Sequence, residues 1–178
     1  MNIKKIIFSI TMLLAMASSI MAQTTDEKGN DLDSLYAQKL LKTGVAAPDF
    51  ILPMPNGSRM QLSEFKGKYV LLDFWATWCP DCRKDVPAVK AMHEKYGNKV
   101  QFIGVSFDVD RERWAKFIVD NGMKWRHVSE LKKMRDAQIA KQYGVQWIPS
   151  MTLVGPDGKV ILSTVVIERM EKALENIR

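Results

Sequence analysis

Cysteine and histidine are both scarce, with two of each in 178 residues. Two cysteines cannot build the disulfide framework of a small secreted scaffold. A four-ligand zinc site would need both cysteines together with His93 and His127, and His93 stands too far along the helix expected after Cys82 to share a metal with it. Glycine (10) and proline (7) are too sparse for a collagen-like or low-complexity chain, and no internal repeat is present. Neither sign of charge dominates: 26 Lys and Arg face 20 Asp and Glu, a formal +6. Two of those positive charges, Lys4 and Lys5, lie in a leading segment expected to be removed. The mild excess that is left argues for solubility and says little about nucleic acid, and no nucleic-acid partner is expected. What is plentiful is apolar side chain, 47% of the residues, enough for one domain with a core that needs no metal to fold.

The leading segment, residues 1–22, runs from Lys4 and Lys5 into the apolar stretch Ile6 to Ile20 and closes on Ala17, Ser18, Ser19 and Ala22. This is the pattern of a secretory signal peptide, removed on export or kept as an N-terminal anchor. The stretch is shorter than the roughly 18 to 20 residues of a spanning helix, and it holds no cysteine for lipid attachment. The chain is therefore expected in a bacterial periplasm or cell envelope, where thiols are not held reduced. A cysteine pair in that compartment calls for an explanation.

Residues 23–45 read as an N-terminal extension and 46–178 as one α/β domain. In the extension Leu32, Leu35, Tyr36, Leu40 and Leu41 recur at helical spacing, with an Asp or a Ser available as the N-cap and Gly44 as the stop. Phe50 to Leu52 and Arg59 to Leu62 flank a Pro-Asn-Gly turn and read as a hairpin. Tyr69 to Trp75 is apolar except at Asp73, as in a strand buried on both faces. Val100 to Phe107 is a second such strand. Helices are expected over Arg83 to Tyr96, Trp114 to Val119, Asp136 to Tyr143 and Ile167 to Arg178. Met151 to Val154 and Lys159 to Ser163 form a second hairpin about Pro156-Asp157-Gly158. The order predicts a mixed central sheet with helices on both faces and a hairpin and helix extension in front.

The chemistry centres on Cys79-Pro80-Asp81-Cys82. Where a strand gives way to a helix, Cys79 sits at the helix N-terminus, whose unpaired N–H groups favour its thiolate. Cys82, one turn on, is within disulfide reach and more deeply buried. Such a pair exchanges disulfides: Cys79 attacks, Cys82 resolves, and the reverse order oxidises a partner. A purely structural bridge would restrict the unfolded chain little over so short a loop. Asp73 breaks an apolar strand, so either its pKa is raised or it has a partner. Asp81 sets a negative charge beside the sulfurs, which disfavours thiolates and makes the dithiol a better reductant. Trp78 and Trp147 are candidates for an apolar rim, whereas Trp75, Trp114 and Trp125 read as core or partly covered surface. The scattered methionines read as core filler, and Pro87 should kink its helix.

These residues resemble the thioredoxin-like proteins, and within them the exported TlpA/ResA-type thiol-disulfide oxidoreductases. The resemblance is carried by Gly44-x-x-Ala47-Pro48-Asp49-Phe50, by Asp73 to Cys82 (DFWATWCPDC), by Arg83-Lys84-Asp85-Val86-Pro87 and by Gly144 to Pro149 (GVQWIP). It implies a thioredoxin fold, no cofactor and no metal. It also implies a cis peptide at Ile148-Pro149, where the Ile148 backbone pairs with an extended substrate. Asp73 corresponds to the buried acid that relays a proton to or from the second cysteine, here Cys82. Asp85 takes the place of a helix glutamate near the active site, a position that plain helix-dipole stabilisation would also fill. The thioredoxin lysine that faces the acid falls at Gly104. The implied activity is reduction of disulfides in envelope proteins, apocytochrome c among the candidates, with electrons from a membrane thiol carrier and a monomer as the working unit. Three alternatives stay open. One is an oxidase or isomerase on the same fold. A thiol peroxidase would need Thr three residues before Cys79, where Ala76 stands. A metal carrier would need a spacing one residue longer.

Overall fold

The structure is a computed structural model that describes residues 24–25 and 30–177; the expected signal segment 1–22 lies outside these residues. Its centre is a five-stranded mixed sheet in the order β5-β4-β3-β6-β7. β3 (Tyr69–Trp75) takes the middle because six of its seven residues are buried, and only a strand covered on both faces and both edges gives such a run a place. β4 (Val100–Ser106) lies parallel to it, with Leu71 opposite Phe102 and Asp73 opposite Gly104. On the other side β6 (Ser150–Val154) runs antiparallel, with Asp73 opposite Met151. β7 (Val160–Thr164) completes the second expected hairpin, turning through Gly158 at φ 77°.

Helices cover both faces. Trp75 meets Phe117 of α3 (Arg111–Asp120), ring centroids 5.6 Å apart, while its strand neighbour Phe74 meets Tyr143 of α4 (Gln138–Tyr143) at 5.4 Å. Successive strand residues point to opposite faces, so α3 and α4 lie on opposite sides. α2 (Pro80–Tyr96) and α5 (Ile167–Glu175) pack against each other. The helix α2 continues through Pro87. β1 (Ile51–Pro53) and β2 (Arg59–Gln61) form the small separate hairpin that the Asn-Gly turn predicts.

Two elements depart from expectation. The helix predicted to run towards Gly44 stops early: α1 spans only Leu32–Tyr36, capped by the Asp31 carboxylate. Beyond it the chain turns to dock, and the Leu41 N–H donates to Tyr143 O. Gly144 lies so close under Lys39 that a Cβ there would collide with the Lys39 carbonyl. That tertiary contact overrides the helical spacing of Leu40 and Leu41. The second departure is β5 (Arg126–Ser129), an edge strand parallel to β4 that was not anticipated. His127, Val128 and Ser129 are all buried, and two of the three are polar.

Candidate active site

β3 delivers the chain to the site and α2 leads it away. Between them Cys79 is the N-cap of α2: its Sγ accepts the Cys82 N–H at 3.1 Å, and Pro80 fills the first helical position, where no N–H is needed. The N–H groups and dipole of the helix therefore converge on the sulfur that has to carry negative charge. Cys79 and Cys82 are joined in a disulfide, Cα atoms 5.3 Å apart. Both residues are buried, each 4% exposed. The Ile148-Pro149 peptide is cis, as the resemblance implies, and the Ile148 carbonyl oxygen lies 3.7 Å from Cys79 Sγ, covering it.

Asp73 and Asp85 lie behind the disulfide. Together with Cys82 and Pro149 they line a cavity of about 10 Å³ between β3 and α2, close to the space one water needs. Burial, and then the negative charge of Asp85, push Asp73 up to about 7. Burial first, and then Glu168 and Asp81, push Asp85 up to about 6. Both acids therefore gain or lose a proton near neutral pH, beside Cys82. No lysine answers Asp73 across the sheet. Its partner position is Gly104, and a Cβ there would collide with His127 Nδ1 and Trp75 Nε1. His127 fills that space as a neutral ring, because burial pulls its pKa down to about 4. Asp81 counts for less than the sequence suggested. Its side chain is 57% exposed and bonded to Lys84 at 3.0 Å, so solvent screens its charge. Asp73, by contrast, is buried and lines the same small cavity as Cys82.

One part of the site went unread in the sequence. Asp108, 3% exposed, lies just beyond β4 and holds the loop that leads into Cys79. Its carboxylate accepts the Thr77 N–H at 3.0 Å, the Thr77 hydroxyl at 2.6 Å and the Ser106 hydroxyl at 2.7 Å. Ser129 of β5 extends the network: it donates to Ser106 O and accepts the N–H of Leu131, a residue held at φ 54°. The Thr77 hydroxyl, one residue late for a peroxidatic threonine, is thus committed to Asp108. The Ala47 to Phe50 motif is likewise occupied with structure. Asp49 accepts the N–H groups of Phe50 and Ser63, and Tyr143 donates to Pro48 O at 2.6 Å. His93, the other imidazole, packs on Phe102 and Trp125.

The two tryptophans adjoining Cys79 and Ile148 in sequence are exposed. Trp78 and Trp147 are 50% and 41% exposed, while Trp75, Trp114 and Trp125 are buried. Trp147 does not stand alone, since Tyr36 of α1 stacks on it with centroids 4.3 Å apart. A cysteine at a helix N-terminus, a second cysteine one turn on, titrating carboxyls behind them and the backbone carbonyl before a cis proline in front make a device for thiol–disulfide exchange.

Comparison with known proteins gives the same reading. The family model described as Redoxin matches residues 42–177. The thiol-disulfide oxidoreductase ResA of Bacillus cereus is 29% identical over 164 residues, covering 90% of this chain and 88% of that protein. ResA of Bacillus thuringiensis subsp. konkukian is 32% identical over 125 residues, 70% of each chain. Among solved structures, the thioredoxin domain of a thiol-disulfide oxidoreductase from Bacteroides vulgatus matches with a TM-score of 0.70 at 30% identity, over 78% of this chain and 99% of that one.

Proposed function

The chain belongs to the Redoxin family, as a thiol-disulfide oxidoreductase of the TlpA/ResA type with Cys79 and Cys82 as its redox pair, and from that premise we propose that it works as a reductase of disulfides in exported proteins. The observation that carries the proposal is the pairing of a helix-capping Cys79 sulfur with a resolving Cys82 backed by two acids that titrate near neutral pH. In the reduced protein the Cys79 thiolate attacks one sulfur of a partner disulfide. The partner S–S bond breaks, its second sulfur leaves as a thiolate and takes up a proton, and a mixed disulfide joins Cys79 to the partner. Cys82 must then lose its proton, and Asp73 receives it through the small cavity they share, with Asp85 passing it towards solvent. The Cys82 thiolate attacks Cys79 Sγ, releases the second partner thiol and closes the Cys79–Cys82 bond. Two electrons have moved from the protein to the partner. Ile148 and Pro149, with Trp78 beside them, hold the partner segment extended across the sulfurs.

Direction is argued from charge. A dithiol is a strong oxidant when its thiolate is strongly stabilised. Here the helix terminus favours the Cys79 thiolate, but the carboxyls lining the cavity beside Cys82, when ionised, oppose charge there. The working compartment is proposed from the sequence of residues 1–22: a cell envelope, with electrons supplied by a membrane thiol carrier and apocytochrome c as one class of partner. No helix among the described residues is long and apolar enough to cross a membrane, and the working unit of this reading is a monomer. Trapping tests the attack order. With C82S a disulfide-bonded partner protein is expected to accumulate as a mixed adduct on Cys79, and with C79S it is not. Adduct formation on Cys82 instead would overturn the assignment.

A further inference from the structure

A groove of about 560 Å³ opens at Asp81 and Pro149, beside the disulfide, and runs between α1 and the first turn of α5. One wall is aromatic, made by Tyr36 stacked on Trp147 at 4.3 Å, both more than a third exposed. The opposite side is acidic, with Asp85 and Glu168 among the lining residues. Neither of these two carboxylates has an ion-pair partner among the described residues. Lys84, the cation of this groove, is bonded to Asp81 at 3.0 Å. Arg169, next to Glu168 in sequence, is committed to Asp31 and Asp33 at 2.6 Å each. The negative charge of Glu168, second to burial, raises the Asp85 carboxyl, and both acids line the groove together with the Tyr36 and Trp147 rings.

We propose that this groove selects disulfide partners by charge, taking an extended segment in which a lysine or arginine lies within a residue or two of the reacting cysteine. The inference rests on the exchange reading above and adds the class of segment preferred. Its physical basis is complementarity of two kinds. A lysine or arginine carries an aliphatic stem that covers aromatic surface and a cationic head attracted both to ring faces and to carboxylates. The groove offers both kinds of feature and includes Pro149, next to the Ile148 backbone. The N-terminal helix therefore contributes to specificity through Tyr36, though it lies well apart from the cysteines in sequence.

The test compares short disulfide-linked peptides that differ only beside the cysteine, with Lys, Ala or Glu there. The reduced protein is mixed with each peptide, and the second-order rate is divided by the rate of the same peptide with dithiothreitol, which cancels intrinsic reactivity. At about 0.05 M salt the normalised rate for the lysine peptide is expected to exceed that for the glutamate peptide about tenfold, shrinking to about twofold at roughly 0.5 M salt as the charges are screened. E168Q is expected to cut the ratio about threefold, and E168K to abolish it. Equal normalised rates for the three peptides overturn this inference while leaving the exchange reading intact. A groove covered by a second copy of the chain would give the same equality together with a dimer in sedimentation, and overturns it likewise. No reaction with any peptide overturns the exchange reading and the inference with it.

Discussion

Asp73 is the residue on which the account leans most. Folding raises its pKa from 3.8 to about 7, first by burial and then through Asp85. The folded chain therefore holds the Asp73 proton more tightly than the unfolded chain does. The stability this provides is whole below the unfolded value, near pH 4, and is lost as pH rises through about 7. D73N keeps the shape and removes the titration. It is expected to make the oxidised protein more stable than the natural chain at pH 8, by on the order of 3 kcal/mol, with little change at pH 4. Denaturant unfolding at the two pH values measures this, and an equal change at both would contradict it. The same variant is expected to slow release of the mixed disulfide at least tenfold, because Cys82 loses its base. Asp108 acts differently, by holding the loop before Cys79. D108A leaves the buried Thr77 N–H and hydroxyl without their acceptor and is expected to cost about 3 kcal/mol, measured by the same unfolding experiment. A loss below about 0.5 kcal/mol, the range of an ordinary surface change, would mean that the network is dispensable.

The elements that were legible in the sequence are those where a single kind of residue decides. β3 is nearly all apolar, and α2 starts where a strand ends at Cys79-Pro80. Both hairpins carry a Gly turn at Gly57 and Gly158, each with φ near 80°. β5 was illegible because two of its three buried residues, His127 and Ser129, are polar. His127 is buried in the space over Gly104, and Ser129 by bonding to Ser106 O, facts of tertiary packing that no local pattern shows. α1 was overextended for the converse reason, since its periodic leucines serve docking rather than helix. α1 is tied down by side chains far away in sequence. The Asp33 carboxylate accepts the Thr164 hydroxyl at 2.7 Å and the Val165 N–H at 2.8 Å, and both Asp31 and Asp33 bind Arg169. R169A is expected to lower stability by about 1 kcal/mol, since these groups are partly exposed, and to make the chain near Leu35 more susceptible to limited proteolysis. Unchanged cleavage there would show that the Thr164 and Val165 contacts suffice to hold the helix.

At the scale of the whole molecule the sheet holds two opposed electrostatic settings against one disulfide. The α2 terminus favours a thiolate on Cys79, while the acids packed between β3 and α2 oppose charge at Cys82. Sequence motifs located the cysteines, the cis proline and the two acids, because each of them belongs to a contiguous signature. They did not locate Asp108 or the part played by Tyr36, which depend on loops and a helix that meet the site only after folding. The central claim, that the couple is reducing, is tested most directly by its reduction potential, from thiol trapping of the Cys79–Cys82 pair across redox buffers at pH 7. A reducing couple is expected near about −270 mV or lower, the thioredoxin region. A value near about −120 mV, typical of a strong disulfide donor, would contradict it and reverse the direction of electron flow.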